Sequence, residues 1–213
     1  MPWSSNATFL AEVGCGGETM RAVYKPVRGE RPLWDFPSGL YRREVAAWRL
    51  SELLGWGIVP ETVVREDAPL GEGSLQRFVD ADFEQHYFTL YEDEDNHDAL
   101  RRICAYDLVA NNTDRKSGHC LLTPADGHIW GIDNGLCFSN HAHVRTVIWE
   151  FGGEPIPEDV LADLAALDVG DSFAGLLDDD EIDAILDRAD WVVAEGVFPV
   201  ADQYGRAYPW PLV

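Results

Sequence analysis

The chain has 213 residues, of which 46% are hydrophobic, which is enough for one domain with a sizeable core or two small lobes sharing a cleft. Its net charge is −22, and a strongly anionic chain is repelled by nucleic acids and by acidic membrane surfaces. We therefore expect no nucleic-acid partner and no stable association with a membrane.

The cysteines and lysines carry further information. None of the four cysteines belongs to a Cys-x-x-Cys pair, and the sequence contains neither a signal peptide nor an apolar run of membrane length. This predicts a reduced, cytoplasmic protein. Fourteen of the sixteen basic residues are arginines, and the two lysines are Lys25 and Lys116. A lysine is a compact point charge, so we infer that these two positions meet phosphate groups.

The first elements predict a β-hairpin followed by a helix. Residues 9–13 and 20–26 are strand-like, and the glycine-rich segment 14–17 between them is a turn. Apolar residues at helical spacing predict a helix over 41–54. Two more strands are predicted, over 58–64 and 73–79.

The middle of the chain predicts a helix that leads into a polar loop and a second hairpin. The helix begins at Asn96 or Asp98 and runs to about Ala110. Beyond the loop, two apolar runs at 120–122 and 129–132 enclose a turn. The hairpin brings Asp114 and Asp133 to one end, and two close carboxylates suit magnesium binding and proton handling in phosphoryl transfer.

The last third of the chain predicts helices. One begins at Pro157, and another is capped by Asp178–Asp180 and carries an apolar stripe as far as Val193.

The loop residues Asn111–His119 and the segment Ile132-Asp133-Asn134-Gly135-Leu136 resemble the catalytic and metal-binding loops of the phosphatidylinositol 3-/4-kinase-like superfamily. The motifs are most similar to type II phosphatidylinositol 4-kinases and their small bacterial relatives, and more distantly to HipA-type protein kinases. The likeness covers roughly residues 4–150. It implies an α+β, two-lobed kinase-like fold with a nucleotide-binding lobe over 1–79 and a reduced, mainly helical catalytic lobe over 80–213.

The resemblance implies roles for the loop residues. Asp114 is the expected catalytic base, Lys116 contacts the γ-phosphate, and Asp133 holds the metal that bridges the phosphates of ATP. Gly135 allows the close backbone turn behind Asp133. His119 stands where the family has a metal-binding asparagine. Imidazole favours ions softer than magnesium, so the implied cofactor is Mg or Mn.

The resemblance also implies a nucleotide site in the first lobe. Lys25, in the segment Ala-Val-Tyr-Lys-Pro, binds the α- and β-phosphates and pairs with Glu44. The phosphate-cradling loop is expected at Ser4, Ser5, Asn6, Ala7 and Thr8 rather than at the 14–17 turn. The family has a strand before this loop, so we expect that strand to be missing or to precede the recorded start. Backbone groups near Gln76 and Phe78 are expected to face the adenine.

The implied function is ATP- and divalent-metal-dependent transfer of a phosphoryl group to a hydroxyl of a protein, small molecule or lipid headgroup. A protein or small molecule is favoured, since the sequence has no basic membrane-facing patch. His141, His143 and Arg145 are candidates to contact an anionic acceptor group. Two alternatives stay open: a nucleotide-binding pseudokinase, and a zinc-binding structural protein. The zinc ligands of the second would be His119, Cys120, His141 and His143.

Overall fold

A computed structural model describes residues 7–201 and 206–213. The strands of the described residues are β1 (Phe9–Cys15), β2 (Glu18–Pro26), β3 (Thr62–Arg65), β4 (Gly73–Arg77), β5 (Cys120–Thr123) and β6 (His128–Gly131). The α-helices are α1 (Leu40–Leu53), α2 (Tyr87–Leu90), α3 (His97–Ala110), α4 (Glu158–Ala165) and α5 (Asp179–Glu195). Short 3-10 turns lie at Val27–Gly29, Glu94–Asn96 and Ser117–His119.

Four of the strands form an antiparallel sheet in the order β1-β2-β4-β3. The predicted β1–β2 hairpin is confirmed: Gly16 and Gly17 have φ values of 61° and 92°, which suit the tight turn between twisted strands. Strand β2 lies in the middle of the sheet and pairs with β4, so Lys25 stands opposite Ser74. The lysine is therefore carried by a strand that is paired on both sides.

Helix α1 packs against β3, β4 and α3, and the predicted helix is confirmed to within one residue at each end. The predicted strand over 58–64 is wrong in its first half, because β3 begins only at Thr62. Ile58 and Val59 are buried in the main core instead, and their N–H groups donate to Ser51 Oγ on α1. That side-chain oxygen replaces a ladder partner for this stretch.

Helix α3 runs through the largest hydrophobic cluster and delivers the chain to the polar loop. Its N-cap position is Asn96, one of the two expected, but the Asn96 side chain donates to Leu90 O instead of capping the helix. Helix α5 packs beside α3 and begins with the predicted cap, in which Asp178 and Glu181 bond reciprocally to each other's backbone N–H groups. Helices α3 and α5 therefore pack together below the polar loop that follows α3.

The predicted second hairpin is also confirmed, with β5 and β6 pairing antiparallel from Cys120–Gly131 to Thr123–His128. Three of the cysteines, Cys104, Cys120 and Cys137, are buried free thiols. Within the described ranges, every helix is too short or too polar to cross a bilayer.

Candidate active site

A cavity of about 330 Å³ opens between the end of β2, helix α1 and the two polar loops. Its polar lining comes from distant parts of the sequence and includes Thr8, Lys25, Glu44, Asp114 and Asp133. The fold thus brings together residues that resemblance alone had grouped.

Lys25 lies at the centre of this cavity and contacts two carboxylates. Its Nζ donates to Glu44 Oε1, and also to Asp133 Oδ1 at 2.8 Å. Burial alone would lower the pKa of Lys25, but Asp133 and Glu44 outweigh burial and raise it. The lysine is therefore a fixed positive charge, held by one buried partner and one half-exposed partner.

Asp133 is the half-exposed partner and has an unusual backbone. Its φ is 58°, in the left-handed region that aspartate tolerates better than most residues. The Lys25 ammonium holds the pKa of Asp133 well below its usual range, against the opposing effect of burial. Asp133 therefore presents an ionised carboxylate to the cavity, and hard divalent cations prefer such oxygen ligands.

Gly135 lies behind Asp133, and its role differs from the expected one. The left-handed residue of this segment is Asp133, whereas Gly135 is needed for space. A Cβ atom at position 135 would lie 3.3 Å from Glu44 Oε1. Glu44 Oε2 accepts the backbone N–H of Asn134 at 3.1 Å, so helix α1 approaches this loop directly.

A buried ion pair beneath the cavity ties the two loops together. Arg115 and Asp107 are both fully buried, and the guanidinium donates to both carboxylate oxygens at 2.9–3.1 Å. Arg115 also donates to Ile132 O at 2.6 Å and to Asn134 Oδ1 at 2.8 Å, on either side of Asp133. These bonds fix the Asp133 segment relative to the loop that carries Asp114.

Sequence reasoning missed this anchor. The signal that could have revealed it is Asp107, an acidic residue within the apolar second half of α3, which needs a buried partner. Asn112 and Thr146 add bonds to the same carboxylate, at 3.0 and 3.1 Å.

Asp114, which lines the cavity, forms a second ion pair with Lys116, which is not among the described lining residues. Lys116 Nζ donates to Asp114 Oδ2 at 2.8 Å, and the Asp114 backbone N–H donates to Asn112 Oδ1 at 2.9 Å. Burial raises the pKa of Asp114 above its ordinary value, and the Lys116 ammonium opposes that shift. A carboxylate with a raised pKa, held next to a cation, has the properties of a general base.

His119 contacts the other aspartate. Its Nδ1 accepts the backbone N–H of Lys116 at 3.3 Å, and its Nε2 lies 3.4 Å from Asp133 Oδ2. Burial lowers the pKa of His119 to about 4, so the ring is neutral at neutral pH. A neutral ring that accepts at Nδ1 carries its proton on Nε2. In this tautomer Nε2 is protonated, and metal ligation by Nε2 requires the proton to leave it.

The remaining predicted nucleotide contacts have different positions. Ser4, Ser5 and Asn6 lie outside the described residues, whereas Ala7 and Thr8 line the cavity. Ala7 N–H donates to Gly29 O at 3.1 Å. Neither Gln76 nor Phe78 is among the described residues that line it: Gln76 is buried and donates to Thr62 Oγ1, and Phe78 lies under the Arg21 guanidinium.

The segment after the Asp133 loop lies beside Asn111, the first residue of the loop that carries Asp114. Asn111 donates to Ser139 O and His141 O and accepts from the His143 N–H, each at 2.8 Å. Over 7–201 and 206–213, the structure contains no group of three or more His, Cys, Asp or Glu arranged to hold a metal ion. The four residues of the alternative zinc site therefore do not form such a group.

The donor set fits a nucleotide with a hard divalent cation better than a protein-only metal site. One ionised carboxylate, Asp133, is open to the cavity, and an ammonium lies next to it. Magnesium in phosphoryl-transfer sites is commonly held by one or two carboxylates together with the substrate phosphates.

No protein-family model matches the chain. Its structure is similar to that of hydra Fam20 with sugar, with a TM-score of 0.55 and 13% identity, over 90% of this chain and 82% of that one. It is also similar to the Helicobacter pylori proinflammatory kinase CtkA, with a TM-score of 0.55 and 12% identity, over 92% of this chain and 90% of that one. At such low identity these likenesses show the fold alone. The predicted α+β kinase-like fold is thereby confirmed, while the lobe boundary near residue 79 stays a prediction.

A sequence relative adds a family. The chain is 36% identical to Protein Rv2133c of Mycobacterium tuberculosis over an alignment of 248 residues, which covers 98% of this chain and 88% of the relative. At this identity and coverage, the chain belongs to the same protein family as Rv2133c.

Proposed function

We propose that this protein is a kinase that transfers the γ-phosphoryl group of ATP to a hydroxyl, with the help of a divalent metal. The observation that carries the proposal is the position of Lys25, which bonds to Glu44 and Asp133 in a cavity that Asp114 also lines. A fixed cation, an ionised carboxylate and a candidate base are the groups that phosphoryl transfer needs in one place. The kinase-like fold supports the proposal.

In this proposal Lys25 and Asp133 hold the nucleotide. Lys25 contacts the α- and β-phosphates, and Glu44, whose side chain is only 4% exposed, keeps the ammonium in place. Asp133 would hold the metal, Mg or Mn, which would offset the negative charge that develops on the phosphoryl oxygens. Ala7 and Thr8 line the same cavity, although the Ala7 N–H already donates to Gly29 O.

Asp114 acts on the acceptor. Its raised pKa favours taking or orienting the proton of the attacking hydroxyl. Lys116, bonded to Asp114 Oδ2, leaves that carboxylate to contact the γ-phosphate. The ion pair thus stores the lysine next to the reacting atoms until the nucleotide arrives.

The acceptor class and the closer relationship are part of the proposal. The motifs around Asp114 and Asp133 support a phosphatidylinositol 3-/4-kinase-like ancestry. We nevertheless favour a protein or small-molecule acceptor, because a net charge of −22 opposes approach to an anionic lipid surface. We also propose a cytoplasmic location, consistent with the three buried free thiols.

A nucleotide-binding pseudokinase is the second candidate, and one observation favours it. His119, in the position of the family's metal-binding asparagine, places a protonated Nε2 3.4 Å from Asp133 Oδ2. A donor there competes with a cation for the carboxylate, which would weaken metal binding without preventing nucleotide binding by Lys25.

The test measures ADP release and transfer of label from γ-labelled ATP, with Mg or Mn. It compares the native chain with Asp114→Asn and Asp133→Ala. ATP binding is measured on the same samples by calorimetry. The kinase predicts turnover that both substitutions abolish. Binding without turnover would favour the pseudokinase, and absence of ATP binding to the folded native chain would refute both.

A further inference from the structure

A second cavity, of about 580 Å³, lies between the ends of helices α3 and α5 and the segment after the Asp133 loop. Its apolar lining consists of Leu108, Val144, Trp149, Trp191, Pro199 and Val200. Trp191 and Val200 are exposed, at 45% and 74% of their surface. Its volume falls within the range of small-molecule sites, about 300–1,000 Å³.

The cavity wall also carries positive charge. Two arginines, Arg188 and Arg206, line it, against one acidic lining residue among those described, Asp187. The Arg188 guanidinium donates to two backbone carbonyls, Val109 O at 2.7 Å and Ser139 O at 3.2 Å. Its third nitrogen, Nη2, is buried and has no hydrogen-bond partner within the described residues.

Arg188 bonds to backbone carbonyls and forms no ion pair within 7–201 and 206–213, in a chain whose acidic residues outnumber the basic ones by 22. Burial lowers the pKa of Arg188 to about 10, which reflects the cost of removing this charge from water. A partly buried cation with an unpaired donor is stabilised when an anionic group lies beside it.

We propose that this cavity binds a small amphipathic anion, with an aromatic or aliphatic body that packs against Trp149 and Trp191 and an acidic group that meets Arg188 and Arg206. A guanidinium recognises carboxylate, sulfonate or phosphate oxygens with paired donors, and indole rings pack against an apolar body. The site lies apart from the Lys25 cavity and shares none of its lining residues. The proposal therefore does not depend on kinase activity.

The position of the cavity links it to the catalytic loop. Asn111 lines it, and the Asn111 side chain holds residues 139–143. A ligand here would contact Asn111, the residue from which the Asp114 segment begins. Ligand binding would therefore affect the position of the loop that carries the candidate base.

The test uses two fluorescent probes with nearly the same body, anilinonaphthalene sulfonate and the uncharged N-phenylnaphthylamine, titrated into the native chain without ATP. We expect saturable, single-site binding of the sulfonate, at least about tenfold tighter than the neutral probe. Equal affinity for both probes, or no saturable binding of the sulfonate, would overturn the proposal.

Variants locate the binding. Arg188→Gln and, separately, Arg206→Gln should each weaken sulfonate binding several-fold to about tenfold while leaving the neutral probe unaffected. Trp191→Ala should weaken both probes. Arg65→Gln, an exposed arginine on β3 away from the cavity, is the matched control and should change neither. If Arg188→Gln does not fold, Arg206→Gln decides, and unchanged sulfonate affinity in the folded variants would refute the assignment.

Discussion

Replacing Arg115 with methionine tests how much the buried anchor beneath the cavity stabilises the protein. Both Arg115 and Asp107 have side chains with no exposed surface, and the methionine would leave the Asp107 carboxylate with only Asn112 and Thr146 as side-chain donors. Breaking a buried pair from one side costs about 3–5 kcal/mol, because the remaining charge stays buried without its partner. The bonds to Ile132 and the Asn134 side chain are lost as well.

For a chain of this length, 1 kcal/mol shifts the midpoint of thermal unfolding by about 2–4 °C. We therefore expect Arg115→Met to lower that midpoint by roughly 6–20 °C. Circular dichroism at the helix band and tryptophan fluorescence would both follow the transition. Coincident midpoints would show that the whole molecule, and not only the loop, is destabilised.

The matched control is Arg102→Met, which breaks an arginine–aspartate pair at the surface. Arg102 and its partner Asp159 have side chains that are 40% and 57% exposed. An exposed pair contributes about 0–1 kcal/mol, so this variant should unfold within about 4 °C of the native chain. If Arg115→Met is no less stable than Arg102→Met, the inference that burial makes this pair structurally essential is refuted.

Three further predictions concern the cavity. Lys116→Met removes the cation that lowers the pKa of Asp114 in the free protein, so the acid limb of the kcat/KM profile should shift to higher pH; an unshifted limb would exclude Asp114 as the titrating base. His119→Asn replaces a ring N–H that faces the proposed metal ligand with a harder oxygen donor. Turnover with Mg relative to Mn should rise several-fold, and an unchanged ratio would show that position 119 does not influence the metal. Gly135→Ala places a methyl group 3.3 Å from the carboxylate that pairs with the cavity lysine. ATP binding, measured by calorimetry, should weaken about tenfold, whereas Gly118→Ala, which meets no atom within 4 Å, should bind normally.

Local rules were sufficient for much of the fold. The glycine turn at 16–17, helix α1 and the β5–β6 hairpin follow from turn chemistry and apolar period, and each is found where the sequence predicts it. The strand over 58–64 was misjudged because its first residues are apolar for a different reason. Ile58 and Val59 fill the core beside α1, and a side-chain oxygen of that helix satisfies their N–H groups. Such a tertiary partner leaves no mark on local periodicity.

The candidate site shows the same division. The resemblance named Lys25, Glu44, Asp114 and Asp133, and the fold brings all four to one cavity. It gave no account of how they stay there. Lys25 comes from a strand and Glu44 from a helix, while Asp133 lies in a loop with a left-handed backbone. That conformation costs energy and persists only where the surrounding structure enforces it.

That enforcement comes from polar groups under the site. Arg115 bonds to the residues before and after Asp133, and Asp107 fixes Arg115 from within helix α3. The position of the Asp133 carboxylate is therefore set by the main core and not by its own loop. Glu44 on α1 fixes the same segment a second time, because its carboxylate accepts the Asn134 N–H. A ligand carboxylate must be positioned to within a fraction of an ångström, and buried charge-assisted bonds achieve this better than apolar contacts because they are directional. Position 115 should therefore affect both stability and nucleotide chemistry, although its side chain contacts only the protein interior.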